Sequence, residues 1–111
     1  MGLAKVAAPL PTRVNTMASY IVATVRITDP ERFAAYGKAV AGLAERFGGE
    51  ALLKGAVSEV LEGAGAVGER VVVSRFETAE QARAYIESSE YRDAQKLREG
   101  AAEVVMRLIN Q

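Results

Sequence analysis

The residues that most constrain this chain are Val71, Val72 and Val73, inside the stretch RVVVSRFETAEQARAYIESSEYRDAQKLREGAA from Arg70 to Ala102. Three consecutive β-branched residues suit a strand covered on both faces better than a surface ribbon with strict alternation, so they predict a central strand. Thr78 stands three residues before Gln81, the spacing of a capping box, and a helix is expected to start there. Ala79, Ala82, Tyr85 and Ile86 fall on one helical face, and Ser88-Ser89 interrupts them with residues that favour caps over helix interiors. A second short helix is expected from Glu90 to Glu99, with Tyr91, Ala94 and Leu97 inward and Gly100 at its end.

The segment before this stretch supplies a first strand and a first helix. In SYIVATVRI, Ser19 to Ile27, the residues Ile21, Ala23, Val25 and Ile27 alternate with Tyr20, Val22, Thr24 and Arg26, giving one purely apolar face and one mixed face. Asp29-Pro30-Glu31 then combines an N-cap, a proline at the first helical position and an acid in the first turn. Phe33, Tyr36, Val40, Leu43 and Phe47 make one apolar stripe, stopped by Gly48-Gly49. Ala51–Val57 and Glu59–Leu61 read as one kinked strand or two short ones, with Gly55 and Ser58 marking a bulge or bend. The glycine-rich Glu62–Glu69 is a turn into the valine strand, with Glu62 and Arg70 placed to pair across it, and Glu103–Ile109 is the last strand. The order β-α-β-β-α-β, with an extra short helix before the final strand, predicts an α+β ferredoxin-like domain with a four-stranded antiparallel sheet.

With 111 residues the chain is expected to form one domain from residue 17 to 111 behind a flexible tail, residues 1–16, that holds Pro9 and Pro11. A signal peptide is the competing reading of that tail, but its apolar run is short and broken by proline. Fourteen basic and fourteen acidic residues cancel and are scattered, which argues against nucleic acid as a partner. No stretch is long enough for a membrane span. There is no cysteine, which fits a reducing cytoplasm. There is no histidine either. The two absences together remove zinc-thiolate, histidine-ligated haem and Ser-His-Asp chemistry, and no acidic loop suggests calcium or magnesium; the expectation is no metal and no cofactor.

Candidate site residues follow from charge and hydroxyl groups near the predicted sheet. Tyr36, Glu59 and Tyr91 are the candidates for acid–base work, and Lys54, Arg75 and Arg98 for orienting an anionic substrate, the charges converging on one end of the sheet. Each has a plain structural alternative: tyrosines on apolar helical faces pack in cores, and single charges beside strands are usually a solvated rim. The sheet itself predicts a partner. Right-handed crossovers place both main helices on one side of the sheet, yet Val71–Val73 and Val104–Met106 put apolar side chains on both faces. A second copy, sheet against sheet, is the simplest cover, with an interface on the order of 2,000 Å² or more.

From Met17 onward the chain resembles the proteins grouped as domain of unknown function 1330, in the dimeric α/β-barrel superfamily. The resemblance rests on the first strand leading into Thr28-Asp29-Pro30, on Tyr36, Gly48-Gly49, Val60-Leu61-Glu62-Gly63, Arg70-Val71-Val72-Val73, Phe76, Ser88-Ser89-Glu90-Tyr91 and Leu97-Arg98. Two departures stand out: Ser89 where the family often has proline, and Lys54-Gly55-Ala56 where it often has Arg-Gly-Gly. Lysine in place of arginine weakens bidentate carboxylate recognition. The resemblance implies a range of functions, from cofactor-free monooxygenases and muconolactone-type isomerases to haem enzymes and ligand-sensing domains. Two readings follow for this chain: a cofactor-free enzyme acting on a small organic molecule, or a non-catalytic homodimer that binds a small molecule or is purely structural.

Overall fold

The computed structural model describes residues 18–111; the tail expected over residues 1–16 lies outside the described residues. The elements run β1 (Ser19–Ile27), α1 (Pro30–Val40), α2 (Leu43–Arg46), β2 (Glu50–Ala56), β3 (Arg70–Phe76), α3 (Ala79–Glu87), α4 (Ser89–Leu97) and β4 (Ala102–Asn110). The sheet order is β2-β3-β1-β4 with every neighbouring pair antiparallel. This is the ferredoxin-like arrangement, and the valine strand β3 is interior as its composition demands.

The start signals act as expected. The Asp29 carboxylate accepts from the Arg32 N–H at 3.2 Å ahead of Pro30. Thr78 and Gln81 close a reciprocal capping box, and the Ser88 hydroxyl accepts from the Tyr91 N–H at 3.0 Å to restart the chain as α4. The first helical region differs from the single helix expected. Ala41 is extended and Gly42 takes φ +74°, so the stripe from Phe33 to Phe47 is carried by two helices. Its spacing survives the break because both pieces lean on one core: Tyr36 and Leu43 are buried, and Phe33, Val40 and Phe47 pack against them.

The β2–β3 hairpin departs further. Residues 57–61 are not strand, and the register irregularity falls between Ala51 and Leu53 rather than at Gly55 or Ser58. Gly55 is simply paired with Val71. The physical reason is that β2 is an edge strand, tied on one side only; its strand register with β3 ends at Ala56–Arg70, beyond which Val57 alone stays tied, donating to the Glu69 carbonyl and accepting from the Gly68 N–H. Glu62 and Arg70 form no ion pair; Arg26 instead reaches Glu69 at 3.8 Å and Glu103 at 3.2 Å across neighbouring strands. The pair with Glu103 is exposed on both sides and contributes little, while the Glu69 side chain is largely buried at the longer distance.

All four helices lie on one face of the sheet. On β1 the residues Ile21, Ala23 and Val25 are each less than a tenth exposed, whereas Tyr20, Val22 and Thr24 between them are half-buried. Register puts Val73 opposite Val22, and Val71 and Val105 opposite Thr24, so these valines share the uncovered face. The thinnest extent of the molecule, 17 Å, matches one sheet and one helical layer.

The helix-side core closes tightly where α2 meets β2. A Cβ added at Gly49 would stand 2.8 Å from the Phe76 ring and 2.9 Å from the Ala44 carbonyl oxygen, whereas one at Gly37 on α1 would meet nothing. Gly49→Ala is therefore expected to destabilise the fold by about 1–3 kcal/mol through overpacking. Gly37→Ala is expected to stabilise it by roughly 0.5–1 kcal/mol through helix propensity. Urea unfolding of both variants at one protein concentration checks the opposite signs.

Candidate functional site

Six of the seven aromatic residues form one connected chain through the helical layer. Phe33 meets Tyr36, Tyr36 meets Tyr91 edge-on, Tyr91 meets Tyr85, and Tyr85 stacks on Phe76 and packs against Phe47, with centroids 5.2–6.4 Å apart. Most of this is core packing, at separations where aromatic pairs attract. The polar ends make it more than that.

The Tyr36 and Tyr91 hydroxyls, 55 residues apart in sequence, lie 3.2 Å from each other in a buried position. Arg98, at the C-terminal cap of α4, donates from Nη1 to the Tyr91 hydroxyl at 2.9 Å. Its guanidinium carbon sits 4.8 Å from the Tyr36 ring centroid and 5.8 Å from that of Tyr91. Among the described residues no carboxylate forms an ion pair with Arg98, so its charge rests on two aromatic faces and one hydroxyl. The Tyr91 hydroxyl in turn donates to Met106 Sδ at 3.5 Å. Burial pushes the Tyr36 phenol well above the usual tyrosine range, reinforced by the hydrogen bond that it donates to the Tyr91 hydroxyl, and burial pushes Tyr85 up to about 12. At neutral pH Tyr36 and Tyr85 are therefore protonated: they can donate hydrogen bonds but cannot serve as bases.

Met106 has a second neighbour. On its other side a half-open cleft of about 210 Å³ runs between α3, the start of α4 and β4. Its floor is Ile21, Ala82, Ile86, Met106 and Leu108. Its rim carries Arg83, Arg92, Arg107 and Glu87. Strand register fixes the floor, because Ile21 pairs with Leu108, and Ala23 with Met106, on the helix-covered face. The cleft thus shares one wall with the hydroxyl cluster.

Of the six candidate residues, the structure brings together Tyr36, Tyr91 and Arg98. Lys54, Arg75 and Glu59 do not join them. Lys54 lies on β2, at the opposite edge of the sheet from β4, three strand spacings or about 14 Å away. Glu59 is exposed in the connection after β2, and Arg75 pairs in register with Tyr20 on the uncovered face. The expected convergence of the charges on one end of the sheet does not form in this chain, because β2 and the α4–β4 corner sit at opposite edges. Met106 and the cleft residues Arg83, Glu87 and Arg92 went unselected. In sequence, Met106 reads as strand core and the others as solvated helical charges, so no local pattern separates them from their neighbours. Among the described residues there is no group of acidic, histidine or cysteine side chains able to hold a metal ion, and no helix long and apolar enough to cross a membrane.

The family described as a domain of unknown function (DUF1330) matches residues 18–111. No curated protein matches the chain. Among solved structures, a protein of unknown function from Rhodopseudomonas palustris superposes with a TM-score of 0.70 at 26% identity, over 89% of this chain and 85% of that one. A dimeric ferredoxin-like protein of unknown function from Thermobifida fusca gives 0.61 at 20% identity, over 87% and 93%. SnoaB, a cofactor-independent oxygenase from Streptomyces nogalater, gives 0.60 at 11% identity, over 84% and 91%. At the last two identities the likeness is one of fold.

Proposed function

This chain belongs to the DUF1330 family, and from that premise we propose that it is a homodimer that takes a small organic molecule into the cleft beside Met106 and polarises an oxygen of that molecule with the Tyr91 hydroxyl. The observation that carries the reading is the hydrogen bond from Tyr91 to Met106 Sδ. A thioether sulfur is a weak acceptor, so a donor that already receives a hydrogen bond from Arg98 is spent on the poorest partner in reach. Met106 is flexible and forms the wall between that hydroxyl and the cleft. A carbonyl or enolate oxygen that displaces the sulfur gains the hydrogen bond, with the Arg98 charge behind it to favour negative charge on that oxygen.

The enzymatic form of this reading is cofactor-free chemistry on the bound molecule, of monooxygenase or isomerase type. It accords with the same fold in the cofactor-independent oxygenase SnoaB. The alternative is retention without turnover. It is favoured by the protonated state of Tyr36 and Tyr85, which leaves Glu87 as the carboxylate at the cleft to act as a base. The homodimer is supported by the uncovered sheet face, where Leu53, Val105 and Ile109 are about half exposed, and by the dimeric relative from Thermobifida fusca. The absence of cysteine suits the cytoplasm, where we place the protein.

The test is a panel of hydroquinones, lactones and small 2-keto acids, read by thermal shift and by product analysis on the wild type and Tyr91→Phe. At least one compound is expected to raise the melting temperature of the wild type by mass action, with affinity falling about tenfold in Tyr91→Phe, in line with one lost hydrogen bond to a charged or polarised oxygen. A stabilising compound that is also consumed marks an enzyme, and one that is recovered unchanged marks a binder. The same response in Tyr91→Phe as in the wild type, or no response to the whole panel, counts against the role assigned to Tyr91.

A further inference from the structure

The rim of the cleft is cationic on a chain with no net charge. Arg83, Arg92 and Arg107 stand there with Glu87 alone to oppose them. Among the described residues none of the three arginines forms an ion pair; Arg92 donates to the neutral Gln95 side chain at 3.3 Å. Register places Arg107 with Val22 on the uncovered side, so it borders the cleft from the β4 edge, while Arg83 and Arg92 flank it from α3 and α4. Beneath them the floor is entirely apolar, and the volume is about 210 Å³. A dry apolar cavity of about 150 Å³ accommodates a benzene ring. The remaining volume, about 60 Å³, is about twice the share of one liquid water molecule and suits one small polar substituent at the rim, while the oxygen that meets Tyr91 takes the place of the displaced Met106 sulfur.

Resting on the cleft reading above, we infer that the ligand is a carboxylate the size of a single ring, its apolar body on Ile21, Ala82, Ile86 and Leu108 and its carboxylate held by Arg83 and Arg92. Guanidinium groups match a carboxylate with paired N–H donors, and among the described residues neither of these two is held in an ion pair. A neutral molecule of the same shape fills the floor and leaves the arginines to water. A dianion or a polyphosphate exceeds the polar volume.

Benzoate and its neutral isostere benzamide separate the two levels of the argument. Titration at low salt, followed by the Met106 methyl resonance of the full chain, is expected to show benzoate binding about tenfold more tightly than benzamide, as for one charge-assisted hydrogen-bonded pair. That preference is expected to shrink several-fold at high salt and to vanish in the Arg83→Gln/Arg92→Gln double variant, with benzamide binding unchanged. Both substitutions are on exposed helical positions and leave the core intact. Equal affinity for the two compounds, or a preference that persists in the double variant, overturns the assignment of an anion while the cleft still stands as a site. No shift of the Met106 resonance with either compound overturns both.

Discussion

Lysine at both Val73 and Val105 is expected to convert the proposed homodimer to a monomer. Both valines lie on the face that the helices leave uncovered, one on an interior strand and one on an edge strand. In a two-fold assembly each substitution appears twice, so four ammonium groups would be drawn out of water into an interface centred on apolar side chains. Each costs several kcal/mol if it stays charged and buried, enough in sum to exceed the stability of most dimers. On a free surface the same changes cost within about 0.5 kcal/mol, so circular dichroism is expected to show a folded chain. Sedimentation at micromolar concentration gives the result. A wild type that sediments as a monomer, or a double variant that remains dimeric, would place the contact elsewhere or remove it.

Phe76→Ala is expected to cost about 3–5 kcal/mol. Phe76 has no exposed surface, stacks on Tyr85 at 5.9 Å, and its ring edge occupies the space that the missing Gly49 side chain leaves open. No flexible neighbour is placed to fill the hole, because Gly49 is backbone and Tyr85 is held by Phe47 and Tyr91. A domain of this size is stable by about 5–15 kcal/mol, so the loss is about a fifth of the total or more. At roughly 4–8 °C per kcal/mol the melting temperature is expected to fall by more than about 12 °C. Chemical unfolding at a fixed protein concentration checks it, and a loss below about 1 kcal/mol would mean that this corner repacks.

The contrast between the two helical regions shows where local signals are sufficient. Thr78-x-x-Gln81 and Ser88 specify caps through contacts three residues away, and those caps are present as read. The stripe Phe33 to Phe47 identifies the face that is buried, but not the break at Ala41–Gly42, because an unbroken helix and two helices on the same core bury the same residues. For the candidate site the limit is of the same kind. Tyr36 and Tyr91 were selectable as hydroxyls on apolar faces, and Arg98 as a charge beside them. Lys54, Glu59 and Arg75 were indistinguishable from these until strand order put them elsewhere.

What the sequence determined by itself is therefore the four strands, the two helical regions between them and their order, since capping, periodicity and β-branching act over a few residues, whereas the split of the first helical region and the exposure of Leu97, expected inward, depended on packing. Right-handed crossovers then left one sheet face without a helix. Only the tertiary structure decided that a hydroxyl on α1, a hydroxyl and a guanidinium on α4, and a sulfur on β4 meet at one point, and that a cleft opens behind the sulfur. The physical reason is that these contacts span from 7 to 55 residues of chain and depend on how α1 and α4 lean on each other above the sheet. Nothing in the local spacing of Tyr36, Tyr91, Arg98 or Met106 sets that angle.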